Sequence, residues 1–199
     1  MSQRADAIRN RATVLDAAEA LFRQDNPGRI TLARIAETAG VGKATVLRRF
    51  GDLNGLVEAV LAPKVTTLQN AIRTGSPPLG PGGSPRERLH VYLDALLDFS
   101  LDNRALIRAL EHRRPHAYYA NPASQFWIDE LTRRIHAAHP AADAEYLAYA
   151  VFTALRADVT DYLRTEQHMS IDRIRTGLHA LATPNNDTNS VNVTNNSGQ

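Results

Sequence analysis

The stretch "TLARIAETAGVGKATVLRRF", residues 31–50, places two short amphipathic segments on either side of a glycine turn. Thr31 reads as the N-cap of the first segment, which ends before Gly40. The second segment runs from about Lys43 to Arg49. Ala36 is small where the second helix packs closely, and Gly40 supplies the positive φ that the turn needs. Val46 points back between the two helices, with Phe50 one turn beyond it on the same side. These offsets are those of a helix-turn-helix, two short helices crossing at a steep angle. With Val46 and Phe50 inward, Ala44, Thr45, Leu47 and Arg48 face outward, flanked by Lys43 and Arg49. Such a face suits the DNA major groove. Arg48 has the reach for a guanine edge, and Leu47 or Ala44 for a thymine methyl. Lys43, Thr45, Arg49 and the Thr31 hydroxyl suit phosphates. The plain alternative is a core helix pair whose cations are merely solvated.

The charge distribution favours the first reading. Residues 1–50 carry nine Lys/Arg against five Asp/Glu, and the remaining chain fourteen against sixteen. A basic N-terminal module on a near-neutral body is the asymmetry expected of a nucleic-acid reader. The overall charge of +2 says little. Of the 199 residues 43% are hydrophobic, enough for a substantial core. No cysteine is present, so thiol nucleophiles, disulfides and cysteine metal sites are excluded. The polar N-terminus lacks a signal-peptide core, and no window is apolar enough to span a membrane. A cytoplasmic location with no membrane partner is expected.

Helical spacing recurs from end to end, so the fold class is all-α. Ile8, Ala12, Leu15, Ala18 and Phe22 mark one face of a first helix. Asp52 is placed to cap a fourth helix, which Pro63 is expected to kink or interrupt. "GSPPLGPGGSP" (75–85) is a loop, and "SPRE" (84–87) a capping box with Pro85 at the first helical position. "LHVYLDALLDFSL" is apolar on nearly all sides and predicts a buried central helix. Shorter helices are expected through Leu106, Ile107 and Leu110, and through Trp127, Leu131 and Ile135. Leu147, Val151, Ala154 or Leu155, Val159 and Tyr162 form one long stripe, and Ile171, Ile174, Leu178 and Leu181 a narrow seam of the kind used in bundles.

Residues 14–61, "VLDAAEALFRQDNPGRITLARIAETAGVGKATVLRRFGDLNGLVEAVL", resemble the N-terminal module of the TetR family of bacterial transcriptional regulators. The resemblance implies a homodimer of about nine helices that binds a palindromic double-stranded operator. It implies that the two terminal helices pair across a dyad, which assigns Val151, Leu155, Tyr162, Ile171, Ile174, Leu178 and Leu181 to a dimer interface. It further implies a cavity between the middle helices for a small-molecule effector that releases the DNA. Candidate walls are Tyr92, Phe99, Tyr118, Tyr119, Phe126, Trp127, Tyr149 and Phe152, each of which has ordinary core packing as its alternative. A closed cavity of several hundred Å³, on the order of a typical ligand pocket, would support effector control over a ligand-free DNA-binding dimer. The implied division is a helix-turn-helix domain at 1–51, a helical effector-binding and dimerisation domain at 52–183, and a disordered tail at 184–199.

Three positions depart from the family pattern, among them Arg49, which stands where a histidine is common. Leu47 stands where an aromatic is common, and Leu53 where a phosphate-binding lysine is common. No cofactor is expected. His136 and His139, and His112 and His116, have no carboxylate in a ligand pattern, so no metal site is assigned. No catalytic motif is present: there is no glycine-rich phosphate loop, serine elbow or HExxH. An all-helical enzyme remains the third class behind the regulator and the ligand-free DNA binder.

Overall fold

The computed structural model describes residues 3–24, 27–111, 116 and 118–183. The predicted tail at 184–199 and His112 lie outside them. Among the described residues the chain is all helical, with ten α-helices where about nine were expected. They are α1 (Gln3–Gln24), α2 (Leu32–Thr38), α3 (Lys43–Phe50), α4 (Leu53–Thr74), α5 (Pro85–Asp102), α6 (Arg104–Glu111), α7 (Pro122–Ala138), α8 (Ala144–Ala154), α9 (Ala157–Thr165) and α10 (Ile171–Ala182).

Local chemistry sets most of these boundaries. The Thr31 hydroxyl accepts from Arg34 N, Asp52 Oδ1 from Gly55 N, and Ser84 Oγ from Glu87 N in a complete capping box. Each such cap satisfies an amide that the helix leaves unpaired. Pro63 does not interrupt α4, contrary to expectation: the helix is continuous from Leu53 to Thr74. The Thr66 and Thr67 hydroxyls donate to the Ala62 and Pro63 carbonyls there, each at 2.9 Å.

The extra helix arises from a break at Leu155–Arg156 that divides the predicted long stripe into α8 and α9. No glycine or proline marks it. The cap comes from another helix: the Glu111 carboxylate, at the end of α6, accepts from Ala157 N (2.9 Å) and Asp158 N (3.3 Å). The Ser100 hydroxyl of α5 donates to the Leu155 carbonyl at 2.9 Å. Burial is the leading influence on Glu111 and raises its pKa, despite the two amides that favour the carboxylate.

Two apolar cores result. The first joins Val14, Ala18 and Phe22 of α1 to Ile35, Ala36 and Val46, then continues into Leu53, Leu56, Val57, Val60 and Leu61 of α4 and Leu106 and Ala109 of α6. It therefore extends past residue 51. α1 contributes a rotated face: Val14, Ala17, Ala18, Leu21 and Phe22 are buried, whereas Ile8 and Ala12 are exposed. The second core packs α5, α7, α8 and α10 around Leu89, Leu93, Leu97, Leu131, Ile135 and Val151. Each such side chain stabilises the fold by roughly 1.5–3 kcal/mol relative to exposure.

This second core takes in four of the residues assigned to the interface. Val151, Leu155, Ile174 and Leu178 are all buried within one protomer. They pack α8 and α10 on their own body, which leaves little of their side chains for a second copy. Tyr162 and Leu181 are exposed and Ile171 is half-buried.

The Gly/Pro-rich loop is anchored. Buried Arg134 of α7 donates to the Leu79 carbonyl (2.7 Å), the Arg88 carbonyl (2.6 Å) and Glu130 (2.6 Å), and its guanidinium lies 4.7 Å from the Tyr92 ring centroid.

Candidate nucleic-acid interface and body cavity

α2 ends in a glycine motif that aims α3. Val41 N donates to the Ala36 carbonyl (3.0 Å) and Gly40 N to the Glu37 carbonyl (3.1 Å), with Gly40 at φ +65°. This is the Schellman arrangement, which satisfies the last carbonyls of α2 and reverses the chain. Val46, 1% exposed, then inserts beside Ile35 and Ala36. Phe50 is half-buried, with the Arg11 guanidinium 5.6 Å from its ring centroid.

The far end of α3 is fixed by α4. A Cβ at Gly55 would collide with the Phe50 carbonyl, so a residue without a side chain is what lets the two helices meet. The sequence reading missed Gly55 because it lies inside a helix, where glycine carries no local signal.

With Val46 inward, Lys43, Ala44, Leu47, Arg48 and Arg49 are all exposed on α3, as is Thr31 at the start of α2. Thr45 is half-buried. The predicted residues other than Thr31 thus lie on one short rod, with three cations and an apolar Leu47 that is 49% exposed. Leu53, by contrast, is buried and apolar, so it offers no group to a phosphate. Asp52 beside it places a carboxylate at the start of α4.

The aromatic candidates in the body divide into two groups. Phe99, Tyr118, Trp127 and Phe152 line an apolar cavity of about 90 Å³ between α4, α5, α6, α7 and α8. This is smaller than the several hundred Å³ that would favour effector control over a ligand-free DNA-binding dimer. The other four do not line it. Tyr92 is fully buried core, its hydroxyl donating to the Trp127 carbonyl at 3.1 Å. Phe126 packs edge-on against Trp127 beneath the Arg73 guanidinium. Tyr119 shares a hydrogen bond with Thr153 at 2.9 Å, and Tyr149 is exposed on α8. A larger groove of about 570 Å³ lies between the end of α1 and the α5–α6 junction. Most of its charges are paired: Arg104 and Arg108 with Asp161, and Arg23 with Glu19. Among the described residues no group of three or more His, Asp or Glu is arranged to hold a metal ion. None of their helices is long and apolar enough to cross a membrane.

Comparison with known proteins agrees with this geometry. Residues 14–60 match the family model described as bacterial regulatory proteins, tetR family. An HTH-type transcriptional regulator of Staphylococcus aureus (strain bovine RF122 / ET3-1) is 32% identical over 108 residues, 54% of this chain and 57% of that protein. Its counterpart in strain USA300 is 31% identical over the same length. The chain thus spans little more than half the length of the curated relatives it matches. A TetR-like transcriptional regulator from Rhodococcus sp. RHA1 superposes with a TM-score of 0.61 at 22% identity, over 87% of this chain and 93% of that one. NalD of Pseudomonas aeruginosa, described as the secondary repressor of the MexAB-OprM multidrug efflux pump, gives 0.58 at 19% identity, over 89% and 95%. At these identities the structural likeness is one of fold alone.

Proposed function

We propose that the chain, whose residues 14–60 match the tetR family model, is a cytoplasmic transcriptional repressor of that family, binding a palindromic operator as a homodimer and released by a small-molecule effector. The observation that carries this reading is the α3 face, where Lys43, Ala44, Leu47, Arg48 and Arg49 are exposed around a buried Val46. A rod of this composition fits a major groove: cations for phosphates, small and apolar side chains for base edges. The role is binding, not catalysis.

Dimerisation supplies the second reader. Two copies of α3 must lie about 34–36 Å apart to enter successive major grooves. Tyr146 and Tyr149 of α8, Tyr162 of α9 and Leu181 of α10 are large apolar or aromatic side chains left exposed on the body. They are the outward candidates for a partner surface, with half-buried Ile171 beside Leu181's helix start.

Release follows from how α6 is shared. Ile107 and Leu110 line the body cavity, while Leu106 and Ala109 are buried in the first core with the reader. An occupant that displaces α6 also displaces the base of the reader, and a change of a few ångströms in half-site spacing spoils one contact. Selecting bound fragments from a pool of random duplexes tests the function and returns the operator. Recovery of an inverted repeat is the expected result; a pool that stays random after selection at low salt contradicts it.

A further inference from the structure

We infer that the cavity between α4, α5, α6, α7 and α8 takes a compact, neutral, single-ring aromatic molecule and excludes charged ones. The regulatory consequence rests on the reading of the body as an effector domain; the binding itself does not.

Size is the first argument. The space measures about 90 Å³. Apolar cavities of this order, about 150 Å³ in the reference case, stay dry and accept benzene. A drug-sized molecule needs about 300 Å³ or more.

The walls give the second. Four aromatic rings, Phe99, Tyr118, Trp127 and Phe152, meet aliphatic side chains from α4 and α6. Phe99 and Trp127 are tilted at 51° with centroids 6.0 Å apart, and Tyr118 and Phe152 stack at 4.6 Å. A planar ring inserted among them finds both edges and faces, the arrangement that aromatic pairs prefer.

Charge gives the third. Among the described lining residues none carries a formal charge. The one titratable group is Tyr118, whose phenol burial pushes well above its ordinary value, so it stays neutral. The polar groups are already engaged within the protein. Tyr118 donates to the Phe152 carbonyl and Ser100 to the Leu155 carbonyl, each at 2.9 Å. Asn121 donates to Ser124 Oγ at 2.8 Å and accepts from Ser124 N at 2.9 Å. A carboxylate or ammonium entering here would lose its hydration with no counter-charge among the lining side chains: the neighbouring cation, Arg156, lies over the Tyr118 ring and is paired with Asp158.

The position explains why occupancy would matter. Leu61 of α4 is at once a cavity wall and part of the reader's core, and Ile107 and Leu110 come from the bridging helix α6. A ring larger than the resting space presses on these two helices before any other part of the reader.

The test is calorimetric titration of the full chain with toluene, benzoate and benzylammonium, repeated on Ala123→Leu and Leu110→Phe, which fill the cavity from α7 and α6. Saturable toluene binding is expected, at least about tenfold tighter than either ion, as the desolvation cost of an unpaired charge requires. Each filled variant that keeps its helical circular dichroism should lose toluene binding. The wild-type comparison decides even where a variant fails to fold. No saturable toluene binding, benzoate binding as tight as toluene, or undiminished binding in folded variants would each overturn the inference. A parallel DNA titration keeps the two readings apart: failure to bind duplex removes the proposed function while leaving the calorimetric result intact.

Discussion

One methyl group has very different consequences at Gly40 and at Gly55. At Gly40 φ is +65° and a Cβ would meet nothing within 4 Å. Alanine there bears only the backbone penalty of the left-handed region, about 1–2 kcal/mol. At Gly55 a Cβ strikes the Phe50 carbonyl, so α3 and α4 must move apart. Denaturant unfolding should show Gly55→Ala as the more destabilised of the two; the reverse order would refute the close approach. The cations of α3 predict a second contrast. Arg49→Ala should weaken binding to every duplex and reduce the salt slope by about 1, the signature of a lost phosphate contact. Arg48→Ala should alter preference at one base pair by ~1–3 kcal/mol, and equal losses across operator variants would refute its base role. The exposed face of α3 was legible in the sequence, apart from half-buried Thr45, because the burial of Val46 fixes the rotation of so short a helix. Gly55 was not, since the atom it must avoid belongs to the preceding helix.

Between elements, polar clasps determine what periodicity leaves open. α10 is held on α5 by Arg175, which pairs with Asp94 (2.9 Å) and Asp98 (2.8 Å), and by His179 on Asp94 (2.7 Å). His90 of α5 stacks on His179 with centroids 4.4 Å apart, and its Nε2 is buried without a partner. Burial, then His179, Arg86 and His139, lower its pKa below 6.5, against the pull of Asp94. The folded protein therefore takes up this proton less readily than the unfolded chain. The corresponding stability is present above about pH 6.5 and is lost as pH falls through the lower folded value. The melting temperature should drop on acidification across this window, and His90→Gln should flatten that part of the profile. An unchanged slope would contradict the clasp. The same scale explains why the long stripe is divided into two helices. The stripe from Leu147 to Tyr162 has continuous helical spacing, and the groups that break it, Glu111 and Ser100, lie elsewhere in the chain. Caps supplied locally, at Thr31, Asp52 and Ser84, were all readable.

At the scale of the whole molecule, apolar spacing identified helices correctly but not their partners. The stripe in α10 looks the same whether it packs on its own body or on a second copy. Burial assigns Ile174 and Leu178 to the body. Ile174→Asp should accordingly unfold the body, because it buries an unpaired charge. Tyr146→Asp combined with Leu181→Asp should leave helicity intact and yield monomers by sedimentation velocity; a double variant that sediments as a dimer would move the interface elsewhere. The central claim is that two copies of α3, carried on one dyad, read adjacent grooves of a duplex. Its most direct measurement is hydroxyl-radical footprinting of the wild-type protein on the selected operator. Two protected half-sites centred about 10–10.5 base pairs apart, or a whole multiple of that spacing, are predicted. Protection of a single half-site, or none that Arg49→Ala diminishes, would contradict the account.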